Sequence, residues 1–190
     1  MDRPLRMIVV GAGAMGRAWL RALAADPRWE VSALADISPE ALREAGAAFG
    51  VPEGRHFLSA EAALEHAPAD AALVVTPPET HRAVSVAALA RGLPVLCEKP
   101  LGASLRDGVA VLNAARRSGA PLMVGQGRRW LPHIVALRDA VAGGLIGELG
   151  YLTCQFRIPV RIGGWREAMP EVLIDDQAIH PFDTIRFITG

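Results

Sequence analysis

Apolar residues in the first two thirds of the chain fall into short continuous runs, and each run is followed by a helical pattern. Residues 6–10, 30–35, 71–75, 94–97 and 122–124 read as five strands. Residues 15–25, 39–49, 59–66, 79–91 and 104–118 read as helices, with Ser59 and Ser104 as N-caps and Pro39 in a first turn. The strands are apolar throughout, as strands are when helices cover both faces of a sheet. Regular alternation of strand and helix predicts a Rossmann-type doubly wound parallel sheet. That unit is expected to close at residue 125, giving a first domain over 1–125.

The pattern then changes. Residues 132–142 read as a helix ended by Gly143-Gly144, and 150–160 alternate in the manner of a strand with one wetter face. Residues 163–170 read as a loop and 175–188 as a helix. Residues 126–190 are therefore expected to begin a second unit with a sheet of its own.

Composition narrows the function classes. The chain has 190 residues, 51% of them hydrophobic, with 20 basic and 20 acidic side chains. Balanced charge without a basic block argues against nucleic acid. No apolar run is long enough to span a bilayer. The start of the chain, two arginines and an apolar stretch broken by glycines, reads as a buried strand and not a signal peptide. Cys97 and Cys154 lie in no metal-binding or disulfide pattern, so neither a metal site nor a disulfide is expected, and a cytoplasmic protein is. Nineteen of the 20 basic residues are Arg, and the remaining one is Lys99. A compact ammonium fits a tight site where a guanidinium does not.

Gly11-Ala12-Gly13-Ala14-Met15-Gly16 follows a strand and opens a helix, the context in which GxGxxG holds a pyrophosphate. The helix N-terminus presents free N–H groups to the phosphate, so 1–125 is expected to be a dinucleotide-binding domain. Asp36 ends the second strand 20 residues after Gly16, where a carboxylate can accept from adenosine ribose hydroxyls. NAD is favoured there, with NADP left open. Thr76-Pro77-Pro78 ends the third strand, and ligands of such sheets lie at the carboxyl ends of the strands. His81 follows in the next helix and is placed behind the groove.

The fourth strand runs into Cys97-Glu98-Lys99-Pro100. With GAGAMG, Asp36, TPPETH, CEKPLG, VGQGRRWLP, GGWR and DDQAIHPFD in this order, the chain resembles the Gfo/Idh/MocA oxidoreductases. The resemblance implies that 126–190 begin a second, truncated α/β domain with an open antiparallel sheet for substrate binding and dimerisation, and it implies a homo-oligomer and a sugar or polyol substrate. It implies that Lys99 hydrogen-bonds the reacting oxygen, that Asp176 and His180 form the DxxxH pair, and that Glu98, Gln126, Trp165 and Arg166 line the cofactor. Met169-Pro170-Glu171-Val172 departs from the glycine-rich stretch usual before DxxxH, and Ala178 stands where Gly is frequent.

The residues also make chemical sense alone. Asp176 and His180, spaced i, i+4, share one helix face with Asp183. A His can take a hydroxyl proton near neutral pH, and an ammonium stabilises the oxygen as charge develops. Asp175 or Asp176 capping a helix, and His180 as a satisfied core residue, are the alternatives. The leading expectation is an NAD(P)-dependent dehydrogenase acting on CH–OH groups. The alternatives are an inactive or fragmentary dinucleotide-binding module, and a Rossmann unit holding another nucleotide or S-adenosylmethionine.

Overall fold

A computed structural model of the chain describes residues 3–155, 157, 167 and 171–190, and it divides into two compact units, Met1–Gly125 and Gln126–Gly190. The first is built of β1 (Leu5–Val10), α1 (Ala14–Ala24), β2 (Trp29–Ala35), α2 (Pro39–Phe49), β3 (His56–Phe57), α3 (Ala60–His66), β4 (Ala71–Val74), α4 (Pro78–Ala90), β5 (Val95–Cys97), α5 (Leu105–Ser118) and β6 (Leu122–Val124). All strands pair in parallel, in the order β3-β2-β1-β4-β5-β6.

The expected doubly wound sheet is present, with one more strand than the apolar runs predict. β3 has only two residues, too few to show a period, and Asp36 N–H donates to Phe57 O (3.1 Å) to extend its pairing with β2.

Strand side chains alternate between faces. Ile8, Val10, Ala33, Ala35, Ala72 and Val74 pack under Leu64, Val84, Leu89 and Val111 of α3, α4 and α5. Met7, Val9, Leu34 and Leu73 face the other way, onto Leu20, Leu23 and Leu42 of α1 and α2. Neither face of the central strands meets water, which explains their continuous apolar runs.

Helix starts follow local chemistry. Ser59 accepts Ala62 N–H (3.1 Å) and Ser104 accepts Asp107 N–H (3.2 Å), as the sequence predicts, and Ser38 caps α2 by accepting Ala41 N–H (3.2 Å). Gly50 and Gly119 end α2 and α5 in the left-handed conformation that glycine adopts at low cost.

In the second unit, α6 (Pro132–Ala142) packs against α7 (Ile179–Thr189). Phe187 of α7 is capped by the guanidinium groups of Arg138 (4.7 Å) and Arg129 (5.4 Å), with Trp130 edge-on at 5.9 Å. The alternation over 150–160 does not produce a strand at the described positions 150–155 and 157. A period of two supplies one side of a ladder only, and the described residues of this unit offer no partner strand. The helix expected over 175–188 starts earlier and differently: Leu173–Ala178 winds as a π-helix and leads directly into α7.

At the edge of the first unit, Arg3 and Arg6 grip Asp70. Arg3 donates two bonds (2.6 and 2.9 Å) and Arg6 adds its backbone N–H (2.8 Å). Hydrogen bonds from Arg3, then Arg6, hold the Asp70 carboxyl far below the usual carboxylate range. Such a depressed group stabilises the fold above the unfolded pKa of about 3.9, and the contribution fades as pH falls further. Urea unfolding against pH should therefore show a smaller acid-side loss of stability for Asp70→Asn than for wild type. Parallel curves below pH ~4 would show that this carboxylate carries no such linkage.

Candidate active site

β1 and β4 are neighbours, and the chain leaves β1 toward one edge of the sheet and β4 toward the other. A crevice opens at such a switch point, at the carboxyl ends of the strands. The glycine loop leaves β1 there and the Thr76-Pro77-Pro78 turn leaves β4.

Each loop glycine has a distinct role. Gly11 has φ +109°, and a Cβ on it would lie 2.6 Å from Val75 O. A Cβ on Gly16 would lie 2.0 Å from Gly11 O, so α1 reaches the strand only without a side chain there. A Cβ on Gly13 would meet nothing within 4 Å. The space beside Gly13 is therefore open to a ligand, and α1 begins there without a side-chain cap. Unfilled N–H groups beside an open cradle fit a pyrophosphate. Ala12 is fully buried, whereas the Met15 side chain is about half exposed (49%) at the loop's surface.

Asp36 sits where the spacing predicts and also braces the loop. Its Oδ2 accepts Ala12 N–H (2.7 Å) and its Oδ1 accepts Ser38 N–H (2.9 Å). A carboxylate has about four acceptor positions, so both oxygens retain capacity for ribose hydroxyls.

Pro77 and Pro78 open α4, and Thr80 Oγ1 lies 2.6 Å from Thr76 Oγ1. His81 is buried, 1% exposed, and its ring nitrogens bridge two carbonyls, Nε2 at 2.7 Å from Thr76 O and Nδ1 at 2.7 Å from Pro100 O. It links the β4 turn to the turn after β5. The Lys99–Pro100 bond in that second turn is cis.

Glu98 is tied to protein groups at both oxygens. Trp19 Nε1–H of α1 donates to Oε1 (2.8 Å), and Lys99 N–H donates to Oε2 (3.1 Å). No motif spacing marks Trp19, because its partner lies 79 residues away, in the turn after β5. The buried Cys97 thiol is pushed up to about 12 by burial, which removes it as a thiolate nucleophile at neutral pH.

In the second unit, Asp176 is buried (1% exposed) and accepts from Gln177 Nε2. It lies inside the π-helix and does not cap a helix end. His180 lies four residues on, in the first turn of α7, and is half-buried. Asp183 is engaged by Arg129, whose Nε donates at 2.7 Å, and this pairing raises the Arg129 guanidinium further. Asp183 therefore ties α7 to the 3-10 turn Gly127–Trp130. Gln126 opens that turn, and its Oε1 is buried with no hydrogen-bond donor among the described residues. Trp165 and Arg166 lie outside the described residues. Among the described residues, no three His, Cys, Asp or Glu side chains gather to hold a metal, and no helix is long and apolar enough to cross a membrane.

The first unit is thus a nucleotide-binding Rossmann domain in its strand order, glycine loop and terminal acid. The model of the oxidoreductase family with an NAD-binding Rossmann fold, GFO_IDH_MocA, matches residues 5–126, and the chain belongs to that family. The rhizopine catabolism protein MocA of Rhizobium meliloti is 34% identical over 97% of this chain and 57% of its own length. Inositol 2-dehydrogenase of Arthrobacter sp. (strain FB24) is 34% identical over 100% of this chain and 56% of its own. A crystal structure of an oxidoreductase from Agrobacterium radiobacter in complex with NAD+, L-tartaric acid and magnesium superposes with a TM-score of 0.81. It is 26% identical, and the match covers 98% of this chain and 55% of that one. The chain spans a little over half the length of the relatives it matches.

Two substitutions separate the loop's packing from its binding role. Gly13→Ala should leave the thermal midpoint within a few degrees of wild type, since its Cβ meets nothing. It should nevertheless weaken NADH binding, by fluorescence titration, by about tenfold or more, roughly 1.4 kcal/mol. Gly16→Ala should lower the midpoint itself, because its Cβ would overlap a backbone carbonyl.

Proposed function

We propose that the chain is the nucleotide-binding part, together with the DxxxH segment, of an NAD-dependent dehydrogenase that oxidises a CH–OH group of a cyclic polyol or sugar. The observation that carries the reading is the turn after β5, where the chain's single lysine follows Glu98 at the carboxyl edge of the same sheet that presents the glycine loop. Membership of an NAD-binding oxidoreductase family, and relatives named for inositol and D-apiose oxidation, support the substrate class.

Gly11 to Gly16 would hold the pyrophosphate and Asp36 the adenosine ribose, with Thr76, Pro77 and Pro78 along the groove. Trp165 and Arg166 belong to the cofactor set on resemblance alone, and Gln126 Oε1 offers a buried acceptor for the carboxamide end. When bound, NAD supplies the hydride acceptor. Lys99 donates a hydrogen bond to the substrate oxygen and stabilises it as negative charge develops. His180 takes the hydroxyl proton, and Asp176 orients the imidazole or a neighbouring hydroxyl. Family resemblance supports a homo-oligomer, and the two free cysteines support a cytoplasmic setting.

Turnover should be measured by NAD reduction across a polyol and sugar panel. Lys99→Met is expected to lower kcat by about 100-fold or more, the scale of a lost oxyanion donor, while NADH still binds. An unchanged kcat in this variant removes Lys99 from the chemistry. His180→Ala should lower kcat by at least about 100-fold and abolish the acid limb of the pH–rate profile, as the loss of a general base does.

A further inference from the structure

The Lys99 turn is held from two sides, one of them the helix that follows the glycine loop. Trp19 lies three residues after Gly16 on α1, so its position follows the glycine loop. Its indole N–H donates to Glu98 Oε1 (2.8 Å), and the other oxygen of the same carboxylate accepts the Lys99 backbone N–H (3.1 Å). Gly125 packs against Glu98 so closely that a Cβ there would come within 3.2 Å of the carboxylate, which leaves Glu98 little room to swing. On the far side of the turn, His81 reaches Pro100 O at 2.7 Å.

We infer that Trp19 is a positioning residue, which sets the root of the Lys99 side chain through Glu98 and so ties the lysine to the helix that begins at the phosphate loop. Glu98 acts in this relay as a brace between two protein donors. The inference rests on the proposed role of Lys99 only where turnover is concerned. A reacting group displaced by about 1 Å can lose as much as 100-fold in rate, so an indirect contact of this kind has a measurable effect.

Lys99 is the chain's only lysine, which gives a readout independent of catalysis. Reductive methylation with 13C-formaldehyde labels Lys99 and the chain's α-amine, and the resonance missing from Lys99→Met assigns Lys99. In Trp19→Phe, which keeps an aromatic ring but loses the donor, the Lys99 resonance should move toward that of a free dimethyl-lysine. Glu98→Gln, which keeps the indole in place, should move it the same way. In the unlabelled protein, Trp19→Phe should lower kcat by about 10- to 100-fold with the KM for NAD within twofold, and Trp19→His, which restores a ring donor, should recover part of the loss.

An unmoved Lys99 resonance in both variants overturns the relay. A shift in Trp19→Phe alone also overturns it, because that pattern is the ring field of the indole. If Lys99→Met leaves turnover intact, the proposed function fails while the resonance test still decides the positioning.

Discussion

The fold and the candidate site both depend on the approach of one helix to one strand. α1 comes so near the end of β1 that a methyl group on Gly16 would stand 2.0 Å from the carbonyl of Gly11. That closeness turns the unpaired N–H groups of the helix toward the crevice between β1 and β4. It also lets the indole of Trp19, one turn along, reach the carboxylate at the end of β5. A single missing side chain thereby sets the depth of the phosphate cradle and the reach of α1 across the sheet.

Much of this was legible in the sequence because it is local. Continuous apolar runs marked the central strands, serines marked helix starts, and glycines at fixed spacing marked the loop. Asp36 was legible by its distance along the chain, although its bond to Ala12 N–H was not. What escaped was set by partners distant in sequence. β3 is too short for a period and exists because β2 has a free edge. The bonds of Trp19 and His81 join residues 79 and 19 positions from their partners, and Asp183 is claimed by Arg129, 54 positions away.

The segment carrying Asp176 teaches a different lesson. Spacing i, i+4 indicates a shared face, and Asp176 and His180 remain four apart on a continuous helical stretch. The winding changes between them, from π to α, which no periodicity argument foresees. Such wide turns are uncommon and concentrate at functional positions. Burial of Asp176 beside an amide donor also separates it from an exposed capping role.

In the proposed function this crevice seats NAD with its reactive end at the Lys99 turn, and a crystal structure of the protein with NADH would display that arrangement. The pyrophosphate is expected over Gly13, the adenosine ribose on Asp36 and the nicotinamide beside Lys99, within hydrogen-bond range (about 3 Å) of where a substrate oxygen would sit. A nicotinamide more than ~10 Å from the lysine ammonium, far beyond that reach, would contradict it.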